Sequence, residues 1–321
     1  MHLSISPFIR AAFSRTWTRF NAIPWSLGFA LGLMAWMAPH LDWHTDLALY
    51  RGGINLPYPY WTNWILAPLR VLPAWAAYLV LCLCCLALLY FAVRIFGGRH
   101  WVVFTSFALG WNFFYGQVDG LVVGGLALAA WALQKNRPYW MGIGLILASI
   151  KPQVSLPLMI ALWWWSPNKI KPLVIPAVVA GLSFLQWGFW LPTLLNQFLH
   201  DHDLTQLTRN VSWWQVLGPW SLLVWLPVIL ARLPRQRKIV AIAAATAFCM
   251  PYFPAPSTLL LLVLPIPVWG YLLAQLPLLS GLGDFWIYEW MKILPTSLVI
   301  WALWPALLTW ALTVKSRFFH P

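Results

Sequence analysis

Two carboxylates near the start of the chain are the residues best suited to acid–base chemistry. Asp42 and Asp46 belong to a set of only seven acidic residues among 321, and they follow the first long apolar segment. Tyr50 stands four residues after Asp46, so a helix there would place the carboxylate and the phenol on one face. A carboxylate at a membrane edge is costly to bury without a partner. The pair therefore predicts a catalytic site, although capping of a loop helix or pairing with Arg51 would also explain it.

The composition places these carboxylates in a membrane protein. Hydrophobic residues make up 61% of the chain, charged residues make up 8%, and the mean hydropathy is +0.72, whereas soluble domains carry about 25% charged residues. We therefore predict an all-α, polytopic integral membrane protein with a single domain over residues 1–321. A span needs about 20 mainly apolar residues. Breaks at Pro, Gly and charge clusters give eleven candidate spans, which are 22–39, 73–96, 101–115, 118–134, 139–150, 153–165, 173–191, 213–231, 239–253, 257–275 and 291–313.

The distribution of charge predicts the orientation of the chain. The net charge is +13, but the basic residues form short clusters at alternate loops, which argues against nucleic-acid binding. The positive-inside rule places the N-terminus in the cytoplasm and both Asp42 and Asp46 outside. No cleavage motif follows the first apolar run, so the first span is expected to remain as an anchor. The outer segments 40–72 and 192–212 carry polar residues, as do the outer turns 116–120 and 149–153, and chemistry is expected on that face of the membrane.

Several short motifs, taken together in order and spacing, resemble a known family. They are the segments 46–50, 57–61, 67–69 and 72–73, then 116–120, 142–145 and 150–153. This pattern resembles the GT-C superfamily of polyprenol-phosphate-sugar-dependent glycosyltransferases, and within it the bacterial alpha-mannosyltransferase branch that includes the phosphatidylinositol mannoside mannosyltransferases. Residues 209–212 resemble the Asn-x-Ser element of that branch. Residues 253–257 depart from it, because the family often has a Trp and paired His residues there.

The resemblance implies a GT-C-like fold and a role for each candidate residue. Asp46 is implied as the base that deprotonates the acceptor, and Asp42 as its supporting residue. Lys151 is implied as a contact of the donor phosphate, with snorkelling to the interface as the alternative. The remaining candidates for substrate binding are Tyr50, Tyr60, Gln117, Asp119, His202, Arg209 and Asn210. Capping of a helix explains Asp119 as well as substrate binding does, and interfacial anchoring is the alternative for Tyr60.

The resemblance further implies an inverting hexosyltransferase. A hexose, expected to be mannose, would move from a polyprenyl-phosphate donor to a lipid or glycan acceptor outside the cytoplasm, in a bacterial plasma membrane. We predict no cofactor and no metal site, since the outer acids are dispersed and the four cysteines fall in apolar segments. A transporter or lipid flippase is the rival class, and a catalytically degenerate structural subunit is a third possibility. No internal repeat, which transporters often show, is visible.

Overall fold

Helices form all the regular structure in the part of the chain that the structure describes. The structure, a computed structural model, describes residues 15–40, 45–52, 58–200, 212–267, 269–271 and 304–313. The first half contains α1 (Arg15–Met37), α2 (Thr45–Gly52), α3 (Thr62–Leu66), α4 (Pro68–Val71), α5 (Ala74–Phe96), α6 (His100–Phe104), α7 (Phe107–Tyr115) and α8 (Asp119–Gln134). The second half contains α9 (Pro138–Ala148), α10 (Pro152–Trp165), α11 (Lys171–Trp187), α12 (Leu191–His200), α13 (Trp214–Leu217), α14 (Trp225–Leu230), α15 (Arg235–Cys249), α16 (Leu259–Leu262) and α17 (Trp304–Thr313). Two 3₁₀ helices, Gly218–Val224 and Ala255–Thr258, complete the set.

One described helix is both long enough and apolar enough to cross a membrane by itself. This is α5, with 23 residues, and it coincides with the predicted span 73–96. The pair α7 and α8 meets the same criteria if it counts as one span, but it is bent by 119°. Shorter apolar helices cover Ile23–Met37, Pro138–Ala148, Lys171–Trp187 and Gly218–Leu230. The predicted count of eleven spans therefore stays a prediction.

The centre of the fold is α8, which is buried along most of its length and packs against α5, α9 and α10. Glycines allow the close approach of α8 and α9. A Cβ atom on Gly125 would lie 2.5 Å from Ala148 N, and one on Gly144 would lie 2.6 Å from Ala129 N. Small residues at such crossings let helix backbones pack directly on one another, as in membrane helix pairs. This packing holds the N-terminus of α8 in a fixed place beside α10.

Two basic side chains on α15 close the ends of neighbouring helices. The buried guanidinium of Arg237 donates to Ala311 O at 3.1 Å and to Leu312 O at 2.8 Å, in the last turn of α17. The ammonium of Lys238 donates to Ile229 O and Ala231 O at the end of α14. The last carbonyls of a helix lack partners within the helix, and cations satisfy them favourably. Arg237 and Lys238, which belong to one of the basic clusters used to predict the orientation of the chain, therefore also have a packing role.

Candidate active site

The sharp bend between α7 and α8 brings two predicted site residues into the core. Gly116 ends α7 with φ +68°, and its N–H bonds to the carbonyls of Asn112 and Phe113. Gln117 N also donates to Asn112 O, at 2.8 Å. This left-handed helix end favours glycine, which has no Cβ to clash. Gln117 and Asp119 follow at once, so the bend turns both of them inward.

A buried ion pair lies at this bend. Lys151 stands just before α10, and its Nζ lies 2.8 Å from Asp119 Oδ2, with the two side chains 3% and 1% exposed. Lys151 also donates to Gln117 Oε1. The other oxygen of the carboxylate, Asp119 Oδ1, accepts a 2.5 Å hydrogen bond from Ser257 Oγ. Three of the predicted residues thus lie together, and Asp119 contacts two other segments through its side chain.

Two tyrosines extend this cluster towards α2. The Lys151 ammonium lies 5.8 Å from the centre of the Tyr58 ring, a distance at which cation–π attraction operates. The hydroxyl oxygens of Tyr58 and Tyr50 are 3.5 Å apart, and both side chains are buried. Tyr50 belongs to α2, whose first turn contains Asp46. A continuous series of contacts therefore runs from the ion pair to the helix that carries the candidate base.

Helix α2 is also held directly by the bend and by two arginines. A Cβ atom on Gly116 would lie 2.7 Å from Leu47 Cβ, so α2 packs on the bend itself. Arg70 Nε donates to Tyr50 O at 3.3 Å, and its Nη2 donates to Asn63 Oδ1 at 2.5 Å. Arg51 Nη2 donates to Leu72 O at 2.9 Å. The described parts of residues 45–72 therefore form short helices that side-chain to backbone hydrogen bonds hold together.

The remaining predicted residues are placed less completely. The backbone of Asp46 is described but its side chain is not, and Asp42, His202, Arg209 and Asn210 lie outside the described residues. Tyr60 packs away from the ion pair in a separate aromatic group. Its ring stacks on Trp190, with centroids 5.3 Å apart, and meets Trp187 edge-on. The catalytic roles of Asp46 and Asp42, and the roles of the other four residues in substrate binding, stay predictions.

Sequence reasoning did not single out three residues that matter to this arrangement. Ser257 completes the hydrogen bonding of Asp119, and Arg70 joins α2 to α3. Asn112 buries both amide atoms at the end of α7 with no hydrogen-bond partner among the described residues. A polar residue within an apolar run is the only signal that marks Asn112 beforehand. Nothing in the local sequence indicated that Ser257 bonds to Asp119, 138 positions away, or that Arg70 bonds to Tyr50 O, 20 positions away.

The chemical types of the side chains in this cluster differ from those of a metal site. Within the described ranges, no three His, Cys, Asp or Glu side chains come together in a group that could hold a metal ion. The polar cluster consists instead of one ammonium, one carboxylate, one amide, one serine hydroxyl and two phenols. Such groups can hold a segment in place or contact a polar ligand.

The contact between Gly116 and Leu47 predicts a mutational effect. Gly116→Ala should lower the melting temperature because alanine is strained at positive φ and its Cβ would also push α2 away. Gly97→Ala is the matched control, since Gly97 has φ +82° with no atom within 4 Å of the added Cβ. Thermal melting of both purified variants in detergent measures the difference. Equal losses would show that α2 does not depend on the bend.

Comparison with known proteins gives one match. A family model described as Glycosyltransferase family 87 matches residues 56–268, which is about two thirds of the chain. The match includes Gln117, Asp119, Lys151 and Ser257, whereas α2 and Asp46 precede it. No curated protein and no solved structure matches the chain.

Proposed function

The chain belongs to glycosyltransferase family 87, and on that premise we propose that it is a membrane hexosyltransferase that uses a polyprenyl-phosphate sugar. The sugar is mannose, the acceptor is a lipid or glycan on the outer face of the bacterial plasma membrane, and the anomeric configuration is inverted. The observation that best supports this proposal is the seating of α2 on the Gly116 bend. It joins the helix of the candidate base to the polar cluster within the matched region.

The proposed reaction is a single displacement. The acceptor oxygen attacks the anomeric carbon, the bond from that carbon to the phosphate oxygen breaks, and the polyprenyl phosphate leaves as an anion. Asp46 takes the proton of the acceptor hydroxyl as general base. Because the leaving phosphate needs little protonation, a second catalytic carboxylate is not required. Asp42 has a supporting role and holds a polar group of the substrate or of the loop.

Lys151 could serve this reaction in two ways, and its surroundings favour one of them. A direct contact with the donor phosphate would require the ammonium to leave Asp119 and Gln117. Separating a buried ion pair costs about 3–5 kcal/mol when one charge is left uncompensated. We therefore assign Lys151 a structural role: it is the counter-ion of Asp119 and connects the start of α10 to the bend on which α2 packs. Contact with the donor phosphate remains the alternative for this residue.

Other residues are proposed to hold the substrates. His202, Arg209 and Asn210, in the outer segment 192–212, are candidates for contacts with the phosphate and the sugar, since cationic and amide donors stabilise a departing phosphate. Tyr50 lies beside Asp46 in sequence spacing and is a candidate hydrogen-bond partner of the acceptor. Gln117, with an amide at the bend, is a candidate contact with the sugar.

A lipid-linked donor is supported by the apolar surface beside the outer loop. Phe189 is 66% exposed and Leu185 is 84% exposed at the junction of α11 and α12, next to the buried Trp190 that stacks on Tyr60. Aromatic residues are frequent at the membrane–water boundary, where a polyprenyl phosphate also has its head group. A donor could therefore approach the loop sideways from the bilayer.

The proposal is tested with purified protein in lipid nanodiscs. Labelled polyprenyl-phosphate mannose, polyprenyl-phosphate glucose and a nucleotide-linked mannose are each supplied with candidate lipid and glycan acceptors. We expect transfer from the polyprenyl-phosphate mannose and no transfer from the nucleotide sugar. Transfer from the nucleotide sugar would overturn the assigned donor class, and preference for glucose would overturn the assigned sugar. In proteoliposomes, movement of lipid across the bilayer without a glycosylated product would support a flippase instead.

A further inference from the structure

Ser257 occupies a rigid and fully buried position outside the segments assigned to substrate binding. It belongs to the 3₁₀ helix Ala255–Thr258, and its N–H donates to Pro254 O at 2.9 Å. Pro254 directly before this helix and Pro256 within it each have φ fixed by the proline ring. The next four residues form α16, whose leucines are all buried. The serine hydroxyl is therefore presented at a fixed point in the core.

The hydroxyl is directed at the carboxylate of Asp119. The distance of 2.5 Å from Ser257 Oγ to Asp119 Oδ1 is in the range of hydrogen bonds from a hydroxyl to an ionised acceptor. An ionised carboxylate can only accept, so the serine donates. Since Oδ2 of the same carboxylate holds the Lys151 ammonium, Ser257 fixes the orientation in which the ion pair forms.

The 3₁₀ helix that contains Ser257 is also connected to α2 through packing contacts. The 3₁₀ helix Ala255–Thr258 packs against α7, and α7 ends at Gly116, on which Leu47 of α2 rests. Ser257 itself is 0% exposed, and its hydroxyl already donates to the Asp119 carboxylate. Its influence on the reaction must therefore pass through other residues.

We propose that Ser257 is a positioning residue of the transfer reaction, acting through Asp119 on the bend that seats α2. This inference rests on the proposed function, in which α2 carries the general base. Without the hydroxyl, the Asp119 carboxylate loses one of its two anchors, and the bend relaxes under α2. Alignment of the base with the acceptor is impaired more than binding of the substrates, because the base lies on α2 itself.

A double-mutant cycle tests this role against simple packing. Ser257→Ala should lower kcat about 10- to 100-fold, the range expected for losing a hydrogen bond to a charged group, with both KM values changed less than about twofold. In a Lys151→Met/Asp119→Ala background, which offers the hydroxyl no acceptor and buries no unpaired charge, the same change should lower kcat less than about twofold further, because Ser257 and Asp119 act as one unit. Ser26→Ala removes another buried hydroxyl, which bonds to Ile23 O within α1, and should leave kcat unchanged. Equal effects in both backgrounds, or no effect of Ser257→Ala, would overturn the proposal.

A second measurement does not depend on sugar transfer. A spin label attached through Leu49→Cys, on the exposed side of α2, reports the mobility of that helix in a protein that also carries Cys84→Ala. Adding Ser257→Ala should make the label more mobile, and adding Ser26→Ala should not. An unchanged spectrum with Ser257→Ala would overturn the coupling from Ser257 to α2. If the unmodified protein transfers no sugar while the label responds, the proposed reaction fails and the coupling stands.

Discussion

Replacement of Asp46 by Asn is expected to abolish measurable sugar transfer while the protein still folds. Asn has nearly the same shape as Asp but cannot accept the acceptor proton, so the loss should fall in kcat. General-base catalysis contributes about 10²–10⁴-fold, which sets the size of the expected loss. Initial rates with polyprenyl-phosphate mannose, measured on equal amounts of monodisperse protein, provide the test.

Asp42→Asn is the matched control for this experiment. It removes the same charge four residues earlier in the chain, and it should lower kcat by less than about tenfold if Asp42 only supports the site. A larger loss for Asp42→Asn than for Asp46→Asn would exchange the two assignments. Full turnover by the Asp46→Asn protein would show that the base lies elsewhere.

The elements that follow local sequence rules were predictable. The uninterrupted apolar run of α5 placed that helix within one residue of its position in the structure. The Gly116 turn, followed at once by Asp119, correctly marked the end of one helix and the start of the next. Both features depend on residues close together in sequence. The 119° angle between α7 and α8 was not predictable, because packing against distant helices sets it.

The sequence predicted several residues of the candidate site, but it did not predict which side chains contact each other. The charge pattern predicts that Gln117, Asp119 and Lys151 lie in turns on the same side of the membrane. In the structure the Lys151 side chain contacts the side chains of the other two. Sequence reasoning considered helix capping for Asp119 and snorkelling for Lys151, whereas the two side chains pair in the core. The contact with Ser257 joins residues 138 positions apart, and no local pattern encodes a separation of that size.

The sequence did not predict where a long apolar segment divides into two helices. Residues 101–115, predicted as one span, divide into α6 and α7 because Ser106 caps the N–H of Leu109. Ser accepts hydrogen bonds well at a helix start, and it favours a new helix over continuation of the old one. Hydropathy averages over such breaks, since Ser106 is one polar residue within an apolar segment.

Removal of one charge from the buried ion pair should destabilise the protein strongly. Lys151→Met leaves the Asp119 carboxylate in the core without its cation, and Asp119→Asn leaves the ammonium without its anion. Each single variant should lose about 3–5 kcal/mol, the cost of an uncompensated buried charge. Lys169→Met is the control, because Lys169 is exposed and its ammonium donates to backbone carbonyls. Fluorescence-detected size exclusion and thermal melting measure the folded fraction.

The double variant Lys151→Met/Asp119→Asn should recover most of that stability, because it buries no net charge at either position and the amide can still accept from Ser257. Its donor KM then distinguishes the two roles of Lys151. If the lysine is a counter-ion, the donor KM stays within about twofold of the unmodified protein and only kcat falls. If Lys151 contacts the phosphate, the donor KM rises about tenfold or more, as expected for losing about 1.4 kcal/mol of binding. We expect the first result, since the ammonium of Lys151 already has a carboxylate, an amide and an aromatic ring around it.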